Sequence, residues 1–250
     1  MSVSIKSGRE IELMREAGRI LAQVHEDLGK MLKPGISTLD IDRAGERMIR
    51  GYGCVPSFKN YNGYPASICV SVNDEVVHGI PNKHRLLKEG DIVSLDAGVI
   101  YNGYHSDAAR TYAIGKVGPE VQQLIQVTKE CFYEGIKHAR AGNHLNDISL
   151  AIQTYAEHFG YGVVRDLVGH GVGKALHEDP EVPNFSQKRK GIRLRPGMTL
   201  AIEPMINMGR ADVVWLDDNW TVVTDDGSLS AHYENTILIT DGDPEILSLL

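Results

Sequence analysis

The sequence predicts a mixed α/β domain assembled from two similar halves. Three observations carry that prediction. First, two separated stretches recur at one fixed offset. Gly35-x4-Asp40-Ile41-x2-Ala44 returns as Gly142-x4-Asp147-Ile148-x2-Ala151, and Leu87-Lys88-x-Gly90-x4-Leu95-Asp96 returns as Leu194-Arg195-x-Gly197-x4-Ile202-Glu203, each 107 positions later. Self-similarity at one spacing marks an internal duplication. Second, each half reads as helix, helix, strands. Third, Asn102-Gly103 separates two strand-like runs, the strongest short signal for a two-residue hairpin turn.

In order along the chain, Leu13, Ala17, Ile20, Leu21, Val24, Leu28 and Met31 follow helical spacing, and Pro34-Gly35 ends that helix. Ser37, with Asp40 three residues on, opens a second helix running to Gly51. In the second half Pro119 starts a helix through Leu124, Thr128, Cys131 and Phe132, and another runs from Asp147 to Gly160. Strands are expected at 66–72, 91–100 and 107–114, then at 199–205, 220–224 and 233–240. No Pro/Ser-rich linker separates the halves. One catalytic domain spanning 1–250 is expected, with halves at 9–115 and 119–250 and helices covering a shared sheet layer.

The chain has 250 residues, 42% of them hydrophobic, enough to bury a sizeable core. Lys and Arg number 26 against 33 Asp and Glu, a net charge of −7 that argues against DNA binding or an anionic membrane as the main partner. Three cysteines without a CxxC argue against a disulfide framework or a zinc finger. No signal-peptide pattern or apolar run of membrane-spanning length occurs, so a cytoplasmic protein is expected. The polar segment Met1 to Gly8 reads as mobile.

The chemistry starts at the hairpin. A two-residue loop at Asn102-Gly103 sets Asp107 opposite Gly98, so Asp96 and Asp107 become diagonal neighbours on one face. Two carboxylates that close call for a proton or a cation between them. Glu203 stands at the repeat position of Asp96, and Glu234 follows Glu203 as Asp107 follows Asp96. Four acids facing one point favour two divalent cations. Gly169-His170-Gly171-Val172-Gly173 aims an imidazole from a backbone that can approach closely. His177 lies seven residues on, and His78 sits beside Gly79 and Pro81. His25, His84, His138 and His158 have polar surroundings and read as structural or surface groups.

Together, Asp96-x10-Asp107, the stretch from Gly169 through His177-Glu-x-Pro, Ala201-Ile-Glu203-Pro and Tyr233-Glu234-Asn-Thr resemble type I methionine aminopeptidase, of the short bacterial type. The resemblance covers nearly the whole chain. It implies the pita-bread fold, two pseudo-symmetric halves around a dinuclear metal site, and metal-dependent removal of N-terminal methionine when the second residue is small and uncharged. It implies metal ligands Asp96, Asp107, His170, Glu203 and Glu234, with Glu203 also the general base. It implies an oxyanion donor in His177 and a peptide-amide contact from His78. A metal-bridged hydroxide is the expected nucleophile, and the cations are Co, Mn, Fe or Zn. The methionine pocket falls to Phe58, Tyr61, Tyr64, Cys69, Leu176 and Trp220, with His78 and His177 at its edge.

Phe58 stands where many members of that family carry Cys, Leu176 where an aromatic is common, and Asn235 where His usually follows the last ligand. The partners implied are the N-termini of nascent polypeptides, with a transient ribosome contact compatible with that task, and a monomer is expected. Because Ser2 is small, Met1 of this chain is itself expected to be removed. A dinuclear phosphoesterase would want Arg or Lys clamps beside the metals, and the site motifs hold only Lys174. Proline-specific and creatinase-like relatives usually carry an extra N-terminal domain, and non-catalytic binding proteins of this fold typically lose ligands that are all present here.

Overall fold

A computed structural model describes residues 3–250; Met1 and Ser2, and with them the expected removal of Met1, lie outside the described residues. The first helix, α1 (Gly8–Met31), starts ahead of its first apolar residue because Ser7 caps it reciprocally with Glu10. Its buried face is the expected stripe, including Met14, Ala17, Ile20, Leu21, Val24 and Leu28. Helix α2 (Thr38–Gly51) is capped by Ser37, whose Oγ accepts from the Asp40 N–H at 3.1 Å. Helix α3 (Pro119–Ile136) begins on its proline. Helix α4 (Leu145–His158) starts two residues before Asp147, because that aspartate is its third residue rather than its first. The Asp147 carboxylate accepts from the His144 N–H at 2.8 Å.

The duplicated motif therefore has a structural meaning. Asp40 and Asp147 occupy the same position in α2 and α4. The residues before those helices each form an isolated antiparallel bridge, Ser37 with Leu86 and His144 with Arg193. Both members of the second bridge lie 107 positions after those of the first. Each half also has its own apolar core. One is built from Ala17, Ile41, Ile68, Leu95 and their neighbours. The other centres on Leu124, Phe132, Ile148, Ile202 and Ile237.

In the first half Ile92–Tyr101 and Tyr104–Ala113 form the expected hairpin, with Gly98 opposite Asp107 and Asp96 opposite Ala109. Asn102 and Gly103 both have positive φ (48° and 83°), as a type I′ turn requires. Ile68–Val72 pairs along the other edge of Ile92–Tyr101 and sets Cys69 opposite Asp96.

The second half departs from the expected strands. The run expected at 199–205 divides into Thr199–Ile202 and Met205–Asn207, because Pro204 has no N–H to continue a ladder. The run expected at 233–240 keeps Asn235–Leu238, and Ser230–His232 forms a separate strand. Trp220 precedes the strand Val222–Thr224 rather than opening it. Thr199–Ile202 pairs with Asn235–Leu238 and Gly169–Gly171, whereas Met205–Asn207 pairs with Ser230–His232 and Gly162–Val163. Two neighbouring chains thus change sheets together, and Glu203 and Glu234 sit at the two corners.

The halves meet at those corners. Ala109 and Glu234 exchange both backbone hydrogen bonds, at 2.9 and 3.4 Å. On one side the Thr236 hydroxyl accepts from the Asp107 N–H and donates to the Asp107 carbonyl. On the other the Thr111 hydroxyl does the same for His232. This two-fold arrangement corrects one expectation. The counterpart of Asp107 across the junction is His232, not Glu234, which faces Ala109 instead.

The N-terminal segment is also held rather than mobile over its described part. The Lys6 N–H donates to Gly197 O at 2.8 Å, and the buried Lys6 ammonium pairs with Glu178 at 2.7 Å.

Two glycines give opposite expected outcomes on replacement by alanine. Gly51 closes α2 in open space, so Gly51→Ala should gain about 0.5–1 kcal/mol from backbone entropy. A Cβ on Gly18 would stand 2.1 Å from Leu247 O, so the same change there must displace backbone and outweigh that gain. Calorimetry should show Gly51→Ala raising Tm by roughly 2–4 °C per kcal/mol gained and Gly18→Ala lowering it.

Candidate active site and metal centre

All thirteen residues singled out from the sequence line one cavity of about 200 Å³. Asp96 and Asp107 enter it from the first-half hairpin, diagonal to each other as the register requires. Glu203 and Glu234 enter from the two sheet-switching corners. His170 lies on the strand Gly169–Gly171. Its flanking glycines are dictated by close approach: a Cβ on Gly169 would meet Ala201 O at 2.4 Å, and one on Gly171 would meet Asp179 O at 2.4 Å.

The electrostatics of these groups fit divalent cations. Burial pushes the Asp96, Glu203 and Glu234 carboxyls well above the usual carboxylate range, and neighbouring carboxylates add to the shift. Asp107 is raised to about 7, chiefly by burial. Asp96 Oδ1, Asp107 Oδ1 and Glu234 Oε1 are buried without a hydrogen-bond partner among the described residues. Acceptors aimed at one another and left unpaired are costly unless a cation takes them up. Donor atoms of Asp107, His170 and Glu234 lie within 4.8 Å of one another. The His170 Nδ1–H donates to Gly171 O at 2.9 Å, which leaves Nε2 free 3.6 Å from Glu203 and 3.9 Å from Asp107. Burial keeps this ring neutral, its pKa pushed down to about 3. A neutral imidazole oriented through its second nitrogen suits a metal ligand.

His177 packs edge-on against His170, ring centroids 4.2 Å apart, and its Nδ1 is 2.7 Å from the Tyr61 hydroxyl. With that hydroxyl donating, the ring proton resides on Nε2. His78 holds a left-handed backbone (φ 60°), a strained state for a residue with a Cβ. Burial lowers its pKa to about 4, so the ring is neutral near pH 7.

Phe58, Tyr64, Cys69 and Leu176 form one apolar cluster with Tyr61 and Trp220 packed on it. The Tyr64 and Trp220 rings meet edge-on at 5.1 Å, and the Tyr64 hydroxyl donates to Gly79 O at 2.9 Å. This apolar group adjoins the acids directly, because Cys69 is the cross-strand partner of Asp96.

Three groups near the site escaped the sequence reading. Arg110 donates to the Glu234 carbonyl and, at 2.6 Å, to Asn235 Oδ1, which also accepts from the Ser248 hydroxyl. Asn235, where the family usually has His, is thus a hydrogen-bond hub behind the last acid. His25, read as lying in polar surroundings, is buried and its Nε2 pairs with Ala108 O at 2.8 Å, next to Asp107. His232 is buried on the cavity wall. Its signal was available: it lies two residues before Glu234 in a strand-like run.

The family model for metallopeptidase family M24 matches residues 12–241. This chain belongs to metallopeptidase family M24. It is 57% identical over 247 residues to a methionine aminopeptidase of Clostridium acetobutylicum, covering 99% of both chains. It is 54% identical to methionine aminopeptidase 1 of Bacillus subtilis, over 97% of this chain and 98% of that one. Among solved structures, a methionine aminopeptidase from Thermotoga maritima superposes with a TM-score of 0.97 at 45% identity, covering 100% of each. The two-half architecture is therefore the pita-bread fold of this family, and the chain is a metallopeptidase. Among the described residues no helix is long and apolar enough to cross a membrane.

Raised carboxyl pKa values make the metal-free M24 chain pH-sensitive. In the unfolded chain these groups ionise near pH 4. Folded, they hold their protons to higher pH, so their stabilisation is full below about pH 4 and is lost as pH rises through about 7, where Asp107 titrates. Chelated protein should therefore melt lower at pH 8 than at pH 5, and a divalent cation should reverse the loss. A melting temperature that rises across this range without metal would contradict the assignment.

Proposed function

We propose that this M24 chain removes the N-terminal methionine from nascent proteins and peptides whose second residue is small and uncharged. One observation carries the reading: an apolar pocket opens directly on a buried cluster of four carboxylates and an imidazole. A polarizable sulfur suits the aromatic and thiol walls made by Phe58, Tyr61, Tyr64, Cys69, Leu176 and Trp220.

Asp96, Asp107, His170, Glu203 and Glu234 are the proposed holders of two divalent cations. A set of four carboxylates and one imidazole suits Mn, Fe, Co or Zn. The chemistry such cations supply when bound is acidification of a water and polarisation of the scissile carbonyl. The remaining work falls to the chain. Glu203, as the carboxylate, takes the proton of the attacking water and passes it to the leaving amine. His177, its proton on Nε2, donates to the oxygen that develops negative charge. His78, held by its strained backbone at the pocket edge, contacts the peptide amide. The domain is read as a single unit over 1–250.

Three measurements test these roles. His177→Ala should lower kcat by roughly 10²–10³, the scale of losing one oxyanion donor, with bound metal unchanged by elemental analysis. Glu203→Gln preserves size but not charge, so turnover should nearly vanish; substantial kcat at full metal occupancy would remove the base role. Metal-loaded enzyme should release methionine from Met-Ala-Ser and leave Met-Lys-Ser intact, since a bulky second residue clashes beyond the scissile bond. Equal rates on the two peptides would refute the proposed specificity.

A further inference from the structure

His232 has no part in the roles assigned so far, yet the fold places it with care. It is 1% exposed, and neither ring nitrogen has a hydrogen-bond partner among the described residues. Its backbone is fixed by the Thr111 hydroxyl, as that of Asp107 is fixed by Thr236. It therefore occupies, in the second half, the position that carries a ligand carboxylate in the first. Its Nε2 stands 3.9 Å from Glu203 Oε2 and 4.0 Å from Glu234 Oε2, nearly equidistant from the two corner acids.

Those separations resemble the ones His170 makes with Glu203 and Asp107. The two rings differ at the other nitrogen. The His170 Nδ1–H is committed to Gly171 O, which leaves the Nε2 lone pair for a cation. Nδ1 of His232 has no hydrogen-bond partner among the described residues, so none of them selects a tautomer with an Nε2 lone pair, and Nε2 is free to carry the proton. An Nε2–H between two carboxylate oxygens gains a charge-assisted hydrogen bond once those groups are ionised.

We propose that His232 is a positioning residue whose Nε2–H hydrogen-bonds the Glu203 and Glu234 carboxylates in the metal-loaded enzyme and fixes their orientation. The inference rests on the metallopeptidase reading of this cluster. A move of about 1 Å brings Nε2 within reach of either oxygen. His232 then acts through Glu203, the proposed base, and Glu234, from the cavity wall.

His232→Leu and His232→Gln test this, since Leu removes the donor and Gln restores an N–H of similar reach. Metal binding is read by calorimetry, apart from turnover. Leu should weaken cobalt binding and lower kcat, each by roughly 10–100-fold, with KM within about twofold and saturating metal stoichiometry unchanged. Gln should recover both to within about threefold of wild type. Leu equal to wild type in affinity and kcat would overturn the proposal, and so would Gln as impaired as Leu. Loss of a metal equivalent in either variant would make His232 a ligand and overturn it too. The unmutated cobalt enzyme gives an independent measurement should the variants fold poorly. Proton NMR should show one exchangeable imidazole N–H with the large contact shift of a coordinated ring, that of His170, and for His232 only the smaller dipolar shift of a ring outside the coordination sphere; a second N–H with the large contact shift would sink the idea. Failure of wild type to release methionine would count against the aminopeptidase reading while leaving the calorimetric comparison interpretable.

Discussion

Two backbone hydrogen bonds between Ala109 and Glu234 decide where everything else in this molecule must be. They tie the halves together at a pseudo-two-fold junction, and they do so with the residue that is also the last acid of the cluster. A strand pairing fixes positions to within a fraction of an ångström, far tighter than a loop could. Carboxylates from two halves, which repel one another, are thereby forced to a common point. The repulsion is the source of the cation affinity: the apolar cores of both halves supply the energy that holds like charges together until metal arrives.

The corners at Glu203 and Glu234 show how sequence and chemistry are linked. A strand that continued straight would point its acid along a regular face. Pro204 ends one ladder, and both neighbouring chains cross to another sheet at the same level. The acids fall between the two sheets, where the Glu234 backbone pairs with Ala109 across the junction, and both side chains enter the cavity. The first half needs no such corner, because its diagonal hairpin pair already converges. Duplicated halves have thus reached one site by two different local devices.

Much of this was legible in the chain. The offset of 107 found the duplication, and the structure gives its cause in the matching helix starts and the paired bridges before them. Asn102-Gly103 fixed the register, and the register fixed Asp96 against Asp107, because a two-residue turn leaves no freedom to slip. What could not be read was anything set by the meeting of the halves. The equivalence of Asp107 with His232 depends on a junction that no local pattern encodes, and the order of the acids along the chain assigned that place to Glu234. The roles of Arg110 and Asn235 likewise depend on contacts across 125 positions. His25 misled for a related reason: helical periodicity with polar neighbours does not show that a strand carbonyl lies over one turn.

The buried Lys6–Glu178 pair bears on how the enzyme comes into being. Lys6 leaves the ribosome well before Gly197, which receives its N–H, and Glu178, which receives its ammonium, since these follow some 170–190 positions later. Glu178 is the residue after His177, so the loop bearing that imidazole lacks its brace until the leading segment folds back. Synthesis is vectorial, and this contact closes it into a ring. A growing chain therefore carries an unbraced His177 loop until Gly197 has emerged and the earlier segment can dock against it.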